Sequence, residues 1–142
     1  MAAVARLFRT LAQAFIVNEN DADSAELFLR ENDEATLRGF LAAGRHVFHV
    51  ADDNGRIAGY IAMRELGHIF HLFVASDWHG RGLARQLWDV ARAASVAAGH
   101  QRHFTVNASN YALQVYQRFG FVATAPLQCT RGLYYTPMAR PF

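Results

Sequence analysis

Between residues 67 and 87 the chain reads GHIFHLFVASDWHGRGLARQL, and the chemistry this stretch suggests is anion binding. In His79-Gly80-Arg81-Gly82-Leu83-Ala84 two glycines let the backbone turn sharply and approach a ligand closely. A helix is predicted to follow at once, with Leu83, Leu87, Val90, Ala91 and Ala94 apolar at helical spacing and Arg81, Arg85, Asp89 and Arg92 on the polar side. The free N–H groups of its first turn and the positive end of its dipole would converge where a pyrophosphate could sit. Spacing alone leaves a plain tight turn as the alternative. The stretch is not a P-loop, since no Gly-Lys-Ser/Thr follows, and Gly-x-Gly-x-x-Gly fails because Arg85 stands where the third glycine would fall.

The elements that must position this loop are legible on either side of it. His68 to Val74 is apolar, aromatic and free of carboxylates, which predicts a buried strand. Upstream, Val4 to Val17 carries Val4, Leu7, Phe8, Leu11 and Phe15 at helical spacing. A second helix is expected from Asp21 or Asp23, either a good N-cap, and a third from Asn32 or Asp33, with Leu37, Phe40 and Leu41 on one face and Gly44 at its end. His46 to Ala51 and Arg56 to Arg64 read as strands around an Asp52-Asp53-Asn54-Gly55 turn, and Glu65-Leu66-Gly67 turns the chain into the central strand. No strand is identified before the first helix. After the long helix, Gly99 is a natural stop. His103 to Asn107 is then a strand parallel to the central one by a right-handed crossover. Ser109 or Asn110 would cap a short helix with Ala112, Val115, Tyr116 and Phe119 on one face, and Phe121 to Ala125 and Leu133 to Met138 would be a last pair of strands. His71, three residues from His68, should face the opposite side of its strand.

Composition bounds what this arrangement can serve. A length of 142 residues and 52% hydrophobic content predict one globular domain spanning residues 1–142, with no repeat or linker. No apolar run reaches the roughly 18 residues of a membrane span. The amphipathic start, with two arginines and no acids, lacks the apolar core and cleavage site of a targeting peptide, so a cytoplasmic location and no membrane partner are expected. Cys129 is the sole cysteine, which excludes an intrachain disulfide and a cysteine-clustered zinc site. All 14 basic residues are arginine, and a net charge of +2 argues against a nucleic-acid binder. Residues 19–34 hold Glu19, Asp21, Asp23, Glu26, Glu31, Asp33 and Glu34 against Arg30 alone, whereas residues 81–103 lean basic. That asymmetry suits an anionic cofactor on one side and a cationic substrate on the other, or a merely solvated acidic helix face.

The loop and its strand resemble the GNAT family of N-acetyltransferases, whose acetyl-CoA loop reads Gln/Arg-x-x-Gly-x-Gly/Ala after a strand of the form Glu-Ile-x-x-Leu-x-Val. Here His79 replaces the Gln/Arg and His68 replaces the Glu that often serves as general base. Further on, Ala112, Tyr116, Gly120 and Phe121 stand at the spacings of the family's Ala-x-x-x-Tyr-x-x-x-Gly-Phe. The resemblance covers residues 46–140, with the N-terminal helices matching only in kind. It implies an α/β (α+β) fold, a mixed, mostly antiparallel sheet with a central parallel pair, flanked by helices.

In that reading the backbone amides of His79, Gly80, Arg81, Gly82, Leu83 and Ala84 hold the pyrophosphate, and Arg81 and Arg85 add phosphate contacts. Leu72, Phe73 and Val74 run beside the pantetheine like an added strand, the Leu72 N–H polarising the thioester carbonyl. As ordinary residues the same three would simply be core. Tyr116 would be the acid for the leaving thiolate and a cofactor neighbour, and His68 the base, direct or through water. Asn107 and Asn110 would contact coenzyme A or serve as strand-end and cap residues. The activity implied is transfer of the acetyl group of acetyl-CoA to a primary amine, on a small molecule or a protein, by direct attack in a ternary complex. No metal is implied, and a homodimer is allowed. The alternative is a non-catalytic acyl-CoA-binding sensor or interaction module of the same fold.

Overall fold

A computed structural model describes residues 1–16 and 22–142. Val17, Glu19 and Asp21, named above for the first helix, the acidic stretch and an N-cap, lie outside the described residues. Three helices come first: α1 (Ala2–Phe15), α2 (Ala22–Arg30) and α3 (Glu34–Ala43). Helix α3 starts where Asp33 accepts bonds from the Thr36 N–H at 2.9 Å and its hydroxyl at 2.8 Å, and it stops at Gly44, whose φ of 77° suits a residue without a Cβ.

An antiparallel meander follows: β1 (His46–Asp53), β2 (Arg56–Arg64) and β3 (His68–Val74). The β1–β2 turn narrows to Asn54-Gly55, both at positive φ (52° and 87°), the twist that a two-residue hairpin requires. Helix α4 (Leu83–Ala97) then carries the chain over the sheet to β4 (Phe104–Ala108), which lies parallel to β3. Beyond it come α5 (Leu113–Arg118), β5 (Val122–Ala123), β6 (Gln128–Thr130) and β7 (Leu133–Arg140). The sheet order is β1-β2-β3-β4-β7-β5, with β6 pairing the start of β7.

Helices cover both faces of the sheet, which is why β2 is buried from Ala58 to Met63. Its Ile61 and Met63 join Trp88, Phe104, Phe121 and Met138 beneath α4 and α5. Tyr60 and Ala62 join Val4, Phe8, Leu29 and Leu37 beneath α1, α2 and α3.

Four expectations are corrected. The buried face of α4 uses Leu83, Leu87, Trp88, Ala91 and Ser95, whereas Val90 is 55% exposed and Ala94 is also exposed. The bulky indole at Trp88 wins the core position because it fills the space among Phe104, Phe119 and Phe121. Neither Ser109 nor Asn110 caps α5 itself. Its N-cap is Ala112, and the Ser109 hydroxyl accepts the Ala112 N–H at 3.3 Å in the turn before it. The strand expected over residues 121–125 shrinks to Val122–Ala123, and an unforeseen β6 forms because Arg131-Gly132 takes positive φ at both residues and closes a tight hairpin.

The fourth correction concerns β3. His71 pairs with Ala62 while Ile69 pairs with Met63, so Phe70 is an extra residue and the strand is bulged. Strict alternation is lost there. Phe70 and His71 both turn toward α1 and α3, their rings stacked 4.3 Å apart. His68 lies on that side too, bonded to Thr105 between the oppositely buried Phe104 and Val106, so His68 and His71 share a face.

Candidate active site

Strands β3 and β4 pair only at His68↔Thr105 and Ile69↔Val106, and beyond Ile69 they part. The Ala75 N–H donates to the Ala58 carbonyl of β2 at 2.8 Å, so by alternation Leu72 and Val74 aim their N–H and C=O groups at the gap. Their side chains pack toward α4, which leaves the backbone to serve the opening. A cleft of about 1300 Å³ runs along this gap, from the glycine loop at one end to α2, α3 and the β6–β7 hairpin at the other.

At the loop, Gly80 and Gly82 hold φ of 74° and 79°, and a Cβ added at either would meet nothing within 4 Å. Backbone conformation, with open space before it, is what demands glycine here. The first α4 bond runs from the Gln86 N–H to the Gly82 carbonyl, so the N–H groups of Leu83, Ala84 and Arg85 have no helical acceptor and no acid stands in the first turn. His79 ties loop to strand, its Nε2–H donating to the Val74 carbonyl at 2.8 Å, and the Tyr111 hydroxyl lies 3.4 Å from its Nδ1. Phe15, at the end of α1, stacks on Tyr111 at 4.3 Å and so closes over the same spot.

The loop arginines divide. Arg85 lines the cleft, donating to the Arg118 carbonyl at 2.9 Å with its guanidinium 4.8 Å from the Phe119 ring centroid. Arg81 stacks 4.1 Å over Trp78 and is not among the residues that line the cleft. Arg118 joins the lining instead, a residue that sequence reasoning missed because only the fold brings α5 against the loop. Asn107 lines the cleft and Asn110 does not.

Tyr116 lies on the wall, 5% exposed, and burial pushes its hydroxyl pKa above the usual value. It therefore holds its proton at any working pH. His68 also lines the cleft. Burial, then the Arg64 guanidinium and His46, bring its pKa down to about 4. Its Nδ1 lies 2.8 Å from the Thr105 hydroxyl, which as an acceptor leaves Nε2 as the open lone pair. His71 has both nitrogens occupied. Tyr60 Oη lies 3.0 Å from Nδ1 and Asn32 Oδ1 3.1 Å from Nε2, while Asn32 donates to the Phe28 carbonyl at 3.0 Å. Burial and His46 hold its pKa at about 3.

Three of the described acids in residues 22–34 have partners. Asp33 caps α3, Glu34 pairs with Arg38, and Glu31, which lines the cleft, pairs with Arg131. Among the described residues no group of three His, Cys, Asp or Glu is placed to hold a metal ion.

The described residues form a seven-stranded mixed sheet whose parallel pair splays over a glycine-rich helix start. A family model of the acetyltransferase (GNAT) domain matches residues 16–141, and the chain belongs to that family. No curated protein matches it. Solved structures share the fold. A GCN5-related N-acetyltransferase from Rhodopseudomonas palustris aligns at TM-score 0.83 and 23% identity over 99% of this chain and 89% of that one. The PaiA N-acetyltransferase of Thermoplasma acidophilum, solved with coenzyme A, aligns at TM-score 0.79 and 12% identity over 99% and 91%. An aminoglycoside 6′-N-acetyltransferase, also with coenzyme A, aligns at 0.69 and 11% over 98% and 88%.

Proposed function

We propose that the protein transfers the acetyl group of acetyl-CoA to a primary amine by direct attack within a ternary complex. The observation that carries this reading is the two-residue pairing of β3 and β4, which leaves the Leu72 N–H and C=O and the Val74 N–H without a strand partner beside a loop of free amides. An extended pantetheine can complete that edge as a strand would, with the pyrophosphate on Gly80, Gly82 and the first turn of α4. Coenzyme A in the two structural neighbours named above supports the choice of cosubstrate. Acetyl-CoA supplies an activated thioester. The Leu72 N–H polarises its carbonyl. As the C–N bond forms the C–S bond breaks, Tyr116 gives its proton to the departing thiolate, and the nitrogen gives one up toward His68 Nε2 or water. With a pKa near 4, His68 is a neutral acceptor for an amine already deprotonated, and Nε2 is its open lone pair when the Thr105 hydroxyl accepts the Nδ1 proton.

Calorimetric titration with acetyl-CoA, wild type beside Gly82→Val, tests the site. Micromolar binding weakened at least tenfold in the variant is expected. No binding by folded wild-type protein rejects the reading, and binding without acetylated product across an amine screen leaves a coenzyme-binding module.

A further inference from the structure

Among the described residues the acceptor end of the cleft holds more arginines than carboxylates. Among the described residues its single lining carboxylate, Glu31, is already paired with Arg131, while Arg30 and Arg64 also line it. Arg64 ends β2 in register with His68, so the two side chains share the face that looks toward α1 and α3. Its guanidinium lies 5.9 Å from the Phe70 ring centroid, half-buried. Glu65, its neighbour in the chain, is paired with Arg45, and no described carboxylate lies within ion-pair distance of Arg64. A planar cation held on an aromatic face, lining a cleft with no described carboxylate at ion-pair distance, is suited to bidentate recognition of a carboxylate. Around it the wall is apolar, with Phe28, Phe40, Phe70 and Leu133.

We propose that the acceptor is an amino acid with an aromatic or large apolar side chain, its carboxylate held by Arg64, its amine beside His68 and its body against the Phe28, Phe40 and Phe70 rings. This rests on the acetyl-transfer reading above. An α-amino acid carries amine and carboxylate on one carbon, which matches two anchoring side chains placed directly across a strand pair. A polyamine, aminoglycoside or lysine-rich tail would instead bring a second cation to Arg64. In the step itself the α-nitrogen bonds to the acetyl carbon, the thioester C–S bond breaks, and the proton lost by nitrogen balances the one gained by the thiolate. The products are an N-acetyl amino acid and free coenzyme A.

The test compares L-phenylalanine, L-phenylalanine amide and phenethylamine as acceptors, following release of the free thiol from acetyl-CoA by wild type, Arg64→Met and Arg64→Lys. A kcat/KM for phenylalanine at least tenfold above the other two, expressed in KM, is expected. That ratio should collapse toward one in Arg64→Met and partly return in Arg64→Lys. Amide or phenethylamine accepted as well as phenylalanine by the wild type overturns the proposal, as does a ratio that Arg64→Met leaves intact. A readout free of catalysis accompanies it: millimolar N-acetyl-L-phenylalanine should raise the melting temperature of wild type and not of Arg64→Met. If acetyl-CoA binds while none of the three amines reacts and no melting shift occurs, the acceptor proposal falls and the acetyl-transfer reading stands. If acetyl-CoA does not bind, the acetyl-transfer reading falls, and the melting shift alone decides whether Arg64 holds a carboxylate.

Discussion

Tyr116 and His68 show how a residue's surroundings, more than its type, decide what proton chemistry it can do. A free phenol and a free thiol are close in acidity, but burial pushes Tyr116 up, so in the proposed reaction it would give up its proton only to a thiolate formed against it. Tyr116→Phe is expected to lower kcat by about 100-fold with the KM for acetyl-CoA nearly unchanged, measured by steady-state kinetics. His68 is the opposite case. With its pKa held near 4, it is neutral across the working range, so the acid limb of a kcat/KM profile between pH 5.5 and 9 should follow the acceptor amine and show no step near 6.5. His68→Gln, which keeps an acceptor atom, should retain more rate than His68→Ala. Equal rates for both variants and wild type would remove His68 from the reaction. His71, expected from strand alternation to face away from His68, shares its face and is spent on Tyr60 and Asn32.

At the scale of the element, two backbone devices make the cleft. One is the bulge at Phe70, which lets β3 serve β2 on one edge and a splayed gap on the other. The second is the loop, where Gly80 and Gly82 stand in a conformation that costs an L residue roughly 1–2 kcal/mol. Open space in front of both glycines means that Gly80→Ala and Gly82→Ala should each lose about that much stability, read by urea denaturation, through φ alone. Gly59 differs. Its added Cβ would meet the Phe73 carbonyl at 2.9 Å and the Val74 Cα at 3.3 Å, both backbone, so Gly59→Ala has to move β3 itself. It is expected to destabilise by about 1–3 kcal/mol and also to weaken acetyl-CoA binding, because the displaced strand is the one that lines the gap.

For the whole molecule, the buried histidines set a response to acid. His71 near 3 and His68 near 4 both stand below the unfolded value of about 6.5. Between those limits the unfolded chain binds more protons than the folded one, so stability is full above pH 6.5 and falls as pH drops through 6 and 5 toward 4. Urea midpoints should fall steeply over that window, and His71→Gln should flatten the slope. An identical slope in the variant would show that His71 does not carry the effect.

Much of the fold was legible locally. Period-2 and period-3.6 patterning with Asn54-Gly55, Gly44 and Gly82 as punctuation located the helices and the strands β2 and β3, because those signals depend only on neighbours in the chain. The glycine loop and the spacing of Tyr116 from Gly120 pointed to the family for the same reason. Packing was not legible: Trp88 displaced Val90 from the core, since which face of a helix turns inward is settled by the cavity it must fill. Nor were the bulge at Phe70, the pairing of Glu31 with Arg131, or the placing of Arg64 beside His68. These depend on strand register and on contacts between residues far apart in sequence. The chain by itself pointed to a glycine loop after a buried strand, because both signals lie in neighbouring residues, whereas only the tertiary structure decided which of His68 and His71 has both ring nitrogens bonded and which arginines line the cleft, because those depend on contacts between distant residues.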